Sequence, residues 1–276
     1  MTSCMVARVG PHSDVAGLAE HSTVPVINAL SDDFHPLQII ADVLTIHEAF
    51  PNRASGSSLG LEGLKVAWVG DSNNVLFDLA TACVKLGINV SVASPEGYGI
   101  PDRMRQIITG AGQGVASAGK LSETTSPEEA IKDADILVTD TWVSMGQEAE
   151  AQRRLKAFAG FQVTNDLAKR GGAKPDWKFM HCLPRHPEEV ADEVFYSPRS
   201  LVFPEAENRL WAAVGEFLCV PFVSDIKKEA NVSKLLWRDL LSTGARLTRY
   251  TTAYRSRSHV LKVKISCREG IPAYGK

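Results

Sequence analysis

Short apolar runs alternate with amphipathic segments along the first 220 residues of the chain. Apolar, β-branched runs bounded by turn residues are typical of strands, whereas apolar positions that recur every three or four residues are typical of helices. The pattern predicts strands at 3–9, 23–30, 64–69, 88–93, 114–116, 136–139, 178–183 and 200–203, and helices at 13–20, 36–50, 75–86, 101–110, from 126, 148–158, 187–193 and 205–218. This alternation predicts an α/β fold built on a doubly wound parallel sheet.

Polar clusters follow three of the predicted strands. They are Asp71-Ser72-Asn73-Asn74, the segment 140–146 (Asp-Thr-Trp-Val-Ser-Met-Gly), and the segment 181–186 (His-Cys-Leu-Pro-Arg-His). Ligands of open parallel sheets bind at the carboxyl ends of the strands, near the switch point, so these clusters are candidate site residues. The turn after Gly70 lacks the second and third glycines of a dinucleotide-binding loop, which argues against a nucleotide site. One of the two asparagines is expected to cap the helix, which leaves the other for a polar ligand.

Two candidates for anion binding lie near the amino terminus. His35-Pro36-Leu37-Gln38 opens a helix, where free N–H groups and the helix dipole favour an anion or a polarised carbonyl oxygen. The alternative is that His35 only caps the helix. Arg8 lies in an apolar strand, and burial of its guanidinium would be costly unless it met an anion or another partner.

Three further residues have a chemical and a purely structural interpretation. Asp140 ends a strand and suits a substrate ammonium group, or it belongs to a turn with a helix cap. Cys182 is a nucleophile by type, although no Cys–His–Asn arrangement can be inferred, and a core cysteine is the alternative. Arg209 could contact an anion, whereas the other charges of 205–209 are expected on a solvated helix face.

Taken in order, these segments resemble the ornithine carbamoyltransferases. The resemblance rests on Arg8, His35-Pro-Leu-Gln38, Asp71-Ser-Asn-Asn74, the segment 140–146, His181-Cys-Leu-Pro-Arg185 and Glu207-Asn-Arg209, and it covers about residues 3–213. His-Pro-x-Gln marks the wider transcarbamylase family, which includes the aspartate enzymes. The Ser-Met-Gly loop and His-Cys-Leu-Pro point to the ornithine branch.

The resemblance implies the transfer of a carbamoyl group from carbamoyl phosphate to L-ornithine, which gives L-citrulline and phosphate. It implies no metal and no organic cofactor. The residues expected to bind carbamoyl phosphate are Arg8, His35, Gln38, Cys182, Leu183 and Arg209, and those expected to bind ornithine are Asn74, Asp140, Ser144 and Met145. Of these, Cys182 and His35 are the expected catalytic residues. The resemblance further implies a homotrimer in the mitochondrial matrix, although the sequence shows no transit peptide.

The chain departs from this family at both ends. No segment matches the family's Ser-x-Arg-Thr-Arg phosphate loop, and Gly215 and Pro221 are expected to interrupt the helix that returns to the first domain. We therefore expect an amino-terminally truncated chain, from a shortened or mis-spliced gene model, and doubtful activity. The predicted divisions are a fragment of the carbamoyl-phosphate domain at 1–50, an ornithine-binding domain at 51–204, the start of the returning helix at 205–219, and an atypical basic tail at 220–276.

Composition adds limits on partners. The formal net charge is −2, and 44% of the 276 residues are hydrophobic, which is typical of an ordinary globular protein. Residues 226–276 hold twelve Lys and Arg against three Asp and Glu, so they carry +9 and the rest carries −11. The sequence predicts no nucleic-acid and no membrane partner, and five cysteines without CxxC spacing suit a reducing compartment. Two alternatives stay open: another transcarbamylase, and a non-catalytic ornithine-binding remnant whose basic tail binds acidic partners or RNA.

Overall fold

The structure is a computed structural model that describes residues 4–53, 59–143 and 148–223. These ranges exclude Ser144 and Met145, and they exclude the predicted basic tail beyond residue 223. The strands are β1 (Met5–Arg8), β2 (Val26–Leu30), β3 (Lys65–Val69), β4 (Asn89–Ala93), β5 (Leu121–Thr124), β6 (Ile136–Val138) and β7 (Lys178–Met180). The helices are α1 (His12–His21), α2 (Pro36–Ala49), α3 (Asn74–Lys85), α4 (Asp102–Gly110), α5 (Pro127–Ile131), α6 (Ala151–Ala157), α7 (Asn165–Gly171), α8 (Asp192–Phe195) and α9 (Val202–Val223).

Five strands form the main sheet, in the order β5-β4-β3-β6-β7, and all neighbours are parallel. The chain builds outward from β3 through β4 to β5, then returns to the other side of β3 with β6 and β7. The switch point therefore lies between β3 and β6, where a doubly wound sheet leaves a crevice at its carboxyl edge. This arrangement confirms the predicted α/β class.

The sheet is buried on both faces. Along β3, Val66 and Trp68 pack into one core with α2, α3 and α4, whereas Ala67 and Val69 pack into the other core with α5, α7 and α8. Successive residues of a strand point to opposite faces, so the apolar run Val66–Val69 of β3 contributes to two cores at once. This explains why the central strands appear as continuous apolar runs in the sequence.

The amino-terminal residues form a separate small layer. Strands β1 and β2 pair in parallel, and α1 packs on them through Val15. Helix α2 follows and packs along the carboxyl-terminal helix α9, where the Asn208 amide donates to Thr45 Oγ1 at 2.9 Å and to Glu48 Oε2 at 3.0 Å. These contacts join the amino-terminal layer to the end of the main domain. No helix among the described residues is long and apolar enough to cross a membrane.

Several predicted elements are wrong in position. Residues 114–116 lie in turns, and the edge strand is β5, whose Leu-Ser-Glu-Thr sequence is polar at three of four positions because one side of it meets solvent. Helix α8 is four residues long and begins at Asp192 instead of 187. The predicted strand at 200–203 is reduced to a single parallel bridge between Ser200 and Phe179, and helix α9 begins at Val202. Helix α9 runs past Gly215 to Val223 without a break, so the expected interruption is not found. Helix α7 was not predicted.

Candidate functional site

The first wall of the crevice is the turn that follows β3. Gly70 has φ +146°, and a Cβ there would lie 3.1 Å from Thr139 Oγ1 and 3.2 Å from Trp142 Nε1, so only glycine lets this turn approach the end of β6 so closely. Asn73 caps α3, because its Oδ1 accepts from the N–H groups of Val75 and Leu76 at 3.1 and 3.2 Å. Two of the free N–H groups at the start of the helix are thereby satisfied, and the Asn73 Nδ2 group is directed at Asp140, which follows β6.

Asp140 lies at the centre of the crevice, at the end of β6, with 4% of its surface exposed. Its two oxygens accept separate hydrogen bonds. Asn73 Nδ2 donates to Oδ2 at 2.6 Å, and the Cys182 thiol donates to Oδ1 at 2.9 Å. Burial, followed by the negative charge of Asp140, raises the pKa of Cys182 well above its usual value. Cys182 is therefore a neutral hydrogen-bond donor in this state, and its geometry does not favour nucleophilic attack.

The backbone after Cys182 is held in a rare conformation. Leu183 has φ +64°, which is unusual for a residue with a side chain and costs about 1–3 kcal/mol. Its N–H donates to His181 Nδ1 at 2.9 Å, so the proton of the buried His181 ring is on Nε2, which donates to Glu189 Oε2 at 3.0 Å. The Glu189 carboxylate also accepts from the backbone N–H of His186 at 2.8 Å and of Trp142 at 3.3 Å. One carboxylate thus joins the loops after β6 and β7.

The amino terminus of α2 forms the opposite wall. His35 precedes the helix, with its backbone N–H donating to Asp78 Oδ2 at 2.7 Å. Its Nδ1 is buried and has no hydrogen-bond partner among the described residues. Burial, followed by the charges of Arg209 and of Arg8, lowers the pKa of His35 to about 3. The imidazole is therefore neutral at physiological pH.

Gln38 connects the two walls. Its Nε2 donates to Asp42 Oδ1 at 2.8 Å and to Glu205 Oε1 at 2.9 Å, and its Oε1 accepts from the Arg209 guanidinium. Glu205 Oε2 in turn accepts from the backbone N–H of His181 at 3.0 Å. Burial raises the pKa of Asp42 and of Glu205. A continuous hydrogen-bonded path therefore runs from Arg209 through Gln38 and Glu205 to the segment that carries Cys182.

Two of the predicted ligands lie differently from expectation. Arg8 is exposed, so the argument from a buried guanidinium is wrong, although its charge still acts on His35. The Asn74 Nδ2 donates to the Ser31 carbonyl at 2.7 Å, and it is Asn73, the capping residue, that contacts Asp140. Leu183 is 37% exposed. Ser144 and Met145 lie outside the described residues.

Arg154 joins the residues that follow β6 to the turn that follows β3. This buried side chain on α6 donates from its NH1 nitrogen to Asp71 Oδ2 and to the Trp142 carbonyl, both at 2.9 Å, and its guanidinium lies 5.1 Å from the centre of the Tyr98 ring. Burial raises the pKa of Asp71, and the charge of Arg154 opposes this shift. The pair therefore anchors the β6 loop to the β3 turn.

A group of possible metal ligands is present at the same place. One ligand atom each from Asp140, His181 and Cys182 lies within 4.8 Å of the others. Both ring nitrogens of His181 are already hydrogen-bonded, to Leu183 and to Glu189, and the Cys182 thiol is protonated. Metal ligation needs a free nitrogen lone pair and a thiolate, so these residues fit a hydrogen-bonded site better than a metal site.

Sequence reasoning missed three buried residues of the site. Glu205 was expected on a solvated face, yet it is 2% exposed, and Asp42 and Glu189 are as deeply buried. One signal was present in the sequence: Asp42 stands alone among Ile39, Ile40, Ala41 and Val43, four residues after Gln38. A carboxylate at that spacing on an apolar helix face implies a buried hydrogen bond to the glutamine.

Comparisons with known families agree with this geometry. The model of the aspartate/ornithine carbamoyltransferase Asp/Orn-binding domain matches residues 62–217, and the carbamoyl-P-binding domain of the same family matches residues 1–48. Among curated relatives, the mitochondrial ornithine carbamoyltransferase of Coccidioides immitis (strain RS) is 68% identical over 219 residues, which are 78% of this chain and 63% of the relative. That of Schizosaccharomyces pombe is 55% identical over 214 residues, 78% of this chain and 62% of the relative.

Solved structures give the same result. The crystal structure of the Coccidioides immitis enzyme superposes with a TM-score of 0.75 at 65% identity, covering 82% of this chain and 69% of that chain. Ornithine carbamoyltransferase from Pyrococcus furiosus superposes with a TM-score of 0.70 at 45% identity, covering 79% of this chain and 66% of that chain. The chain spans 60–63% of the length of the first curated relatives that it matches.

Proposed function

The chain belongs to the aspartate/ornithine carbamoyltransferase family, and we propose that its crevice transfers a carbamoyl group from carbamoyl phosphate to L-ornithine. The observation that carries this proposal is the hydrogen-bonded path that joins Arg209 and Gln38, beside His35, to the segment of Cys182 and to Asp140. His35, Gln38 and Arg209 suit a carbonyl oxygen, an amino group and a phosphate, respectively. Asp140 and Cys182 suit an ammonium group. Relatives named ornithine carbamoyltransferase support the choice of amine.

The carbamoyl phosphate would lie at the amino terminus of α2. Neutral His35 would donate a hydrogen bond to the carbonyl oxygen, where negative charge develops as the carbonyl carbon is attacked. The guanidinium groups of Arg209 and Arg8 would pair with the phosphate. Gln38 and the backbone of Cys182 and Leu183 would complete the contacts of the carbamoyl group.

L-Ornithine would bind against Asp140, with the Cys182 thiol beside it. In this proposal Asn74, Ser144 and Met145 complete the amino-acid site. The nitrogen of the δ-amine attacks the carbonyl carbon, the bond from that carbon to the bridging phosphate oxygen breaks, and phosphate leaves with the electron pair. The attacking nitrogen loses one proton, which the phosphate accepts. The amine must be neutral to react, although the pKa of a free alkylamine is about 10.

The test is the formation of citrulline by the purified full chain supplied with carbamoyl phosphate and L-ornithine. We expect ornithine-dependent citrulline and inorganic phosphate in equal amounts, and a loss of at least about 100-fold in kcat/KM for Asp140→Asn. Carbamoylation of L-aspartate instead would place the chain in the aspartate branch. Calorimetric binding of ornithine without any turnover would support a non-catalytic ornithine-binding protein.

The relatives also bear on assembly and location. We propose a homotrimer in the mitochondrial matrix, because the curated relatives are named as mitochondrial enzymes and trimers are the expected assembly of this family. Sedimentation equilibrium of the purified chain tests the first part. A monomer at micromolar concentration would contradict it, and fractionation of cells that express the chain would test the second part.

A further inference from the structure

Two carboxyl groups lie behind Gln38, where they are not expected to touch either substrate. Asp42 on α2 and Glu205 on α9 are each 2% exposed. The Gln38 Nε2 donates to Asp42 Oδ1 at 2.8 Å and to Glu205 Oε1 at 2.9 Å. Both hydrogens of the amide nitrogen are therefore directed at carboxyl oxygens, and none is left for a ligand.

This arrangement determines which end of the Gln38 amide faces the crevice. The Oε1 atom points to Arg209, whose guanidinium donates to it. A rotated amide would place its oxygen against two carboxyl groups and its NH2 group against a guanidinium that can only donate. The oxygen also retains a second lone pair, so Gln38 offers a ligand an acceptor and no donor.

Ionisation of both carboxyl groups would be unfavourable at this place. They are buried, they accept from the same nitrogen, and like charges at such short range oppose each other. The ionisable groups that face the pair are Arg209 of α9, Asp140 and Cys182 at the sheet edge, and Cys83 of α3. Of these only Arg209 is positive, and it is directed at the Gln38 oxygen.

We propose that Asp42 and Glu205 are a positioning pair that shares one proton and holds the Gln38 amide with its oxygen toward the ligand. Burial raises the pKa of both groups, and the charge of Asp42 adds to the shift of Glu205. The inference rests on the proposed function, because it makes Gln38 an acceptor for the amino group of a carbamoyl ligand. An acetyl group, which carries a methyl group at that place, would leave the second lone pair of the Gln38 oxygen without a donor, although Arg209 still donates to this oxygen.

The two members of the pair should respond differently to substitution by an amide. In Asp42→Asn, the new oxygen can accept from Gln38 while the new NH2 group donates to an ionised Glu205, so the geometry is kept without the proton. In Glu205→Gln, an NH2 group replaces one of the two carboxylate oxygens. Each of these oxygens accepts a hydrogen bond, one from Gln38 Nε2 and the other from the N–H of His181, so the new NH2 group faces a donor in either orientation. Glu205→Gln should therefore disturb Gln38, and Asp42→Asn should not. The matched control is Glu216→Gln, which changes another buried carboxyl group of helix α9.

The experiment is calorimetric binding of carbamoyl phosphate and of acetyl phosphate to the full chain and to these three variants. The unaltered protein should prefer carbamoyl phosphate by about tenfold, since only the carbamoyl NH2 group can donate to the second lone pair of the Gln38 oxygen. Asp42→Asn and Glu216→Gln should keep this ratio, and Glu205→Gln should bring it near one. If Glu205→Gln does not fold, as judged by circular dichroism, Asp42→Leu removes one acceptor and should lower the ratio instead.

Failure of this inference can be separated from failure of the proposed function. Equal binding of the two compounds by the unaltered protein, or an unchanged ratio in Glu205→Gln, would overturn the positioning pair and leave the function standing. Binding of neither compound would overturn both.

Infrared difference spectra of the unaltered protein against Asp42→Asn test the shared proton without any ligand. The carbonyl band of a protonated carboxyl group should be lost in the variant, and its absence from the difference spectrum would contradict the shared proton.

Discussion

The neutrality of His35 is the most direct prediction to test, because the proposed chemistry requires a neutral donor. Burial, with smaller contributions from the charges of Arg209 and Arg8, lowers the pKa of this imidazole from about 6.5 to about 3. A shift of this size corresponds to about 5 kcal/mol of unfavourable free energy for protonation in the folded state. The ring should therefore stay neutral at pH 5, where a histidine in the denatured protein is almost fully protonated.

The sign of the effect on stability follows from proton uptake. Below pH 6.5 the unfolded chain binds a proton at this histidine and the folded chain does not, so the free energy of unfolding falls with decreasing pH. The slope from this one group is about 1.4 kcal/mol per pH unit, and between pH 6.5 and 5 it amounts to about 2 kcal/mol. In His35→Gln no such proton uptake occurs, and the difference between the two proteins isolates the contribution of His35.

Two assays check this prediction. Nitrogen-detected NMR of the imidazole ring should show a neutral His35 from pH 8 to about pH 4, and urea unfolding should show the loss of stability relative to His35→Gln. In Arg209→Gln the pKa of His35 should rise, yet stay below 6.5, because burial is the larger cause. Titration of His35 near 6.5 in the folded protein, or a stability difference that is flat with pH, would refute the reasoning.

Three further predictions concern neighbouring groups. Burial raises the pKa of Glu216 to about 7, so Glu216→Gln should stabilise the protein against urea by up to about 3 kcal/mol above pH 7, and the gain should vanish below pH 4.5. Cys182 should react slowly with iodoacetamide at pH 7, and Asp140→Asn should increase its rate, because the carboxylate charge raises the thiol pKa; an unchanged rate would contradict this. Arg154→Met should destabilise the fold by about 3–5 kcal/mol by leaving Asp71 buried without its cation, and Asp71→Asn in the same chain should recover part of this loss.

The central strands could be predicted from the sequence, whereas the edge of the sheet could not. Strands β3, β4 and β6 are buried on both faces, so nearly all of their positions after the first residues of β3 and β4 are apolar and the runs are easily recognised. Strand β5 pairs only with β4 and keeps polar residues on its open side. The turn-rich residues 114–116 looked more apolar than the true edge strand. Short helices such as α7 bury too few residues to show a periodicity.

The candidate site divides in a similar way. Residues at strand ends, such as Asp140 and Cys182, could be predicted because topology alone places them at the switch point. Glu205 could not be, since its partner Gln38 is 167 positions away and helix α9 had to be placed against α2 first. The same holds for Glu189, which contacts both His181 and the loop after β6 only in the folded chain.

The protonation states of the site matter for the attacking amine as much as for the carbamoyl group. An alkylamine with a pKa of about 10 must lose its proton in the crevice, and each negative charge nearby would raise that pKa and keep it protonated. Several acidic groups surround the crevice, and the structure limits their influence. The Cys182 thiol keeps its proton, Asp140 accepts from two donors, and the positioning pair of Asp42 and Glu205 would carry one charge instead of two. A positive charge on His35 would also be unfavourable for the reaction. A charged imidazole would pair with the phosphate, which is the leaving group, instead of polarising the carbonyl, and neutral His35 avoids this. In the proposed reaction, the buried groups would therefore promote attack by keeping the crevice close to neutral, and Arg209 and Arg8 would supply the charge that the phosphate requires.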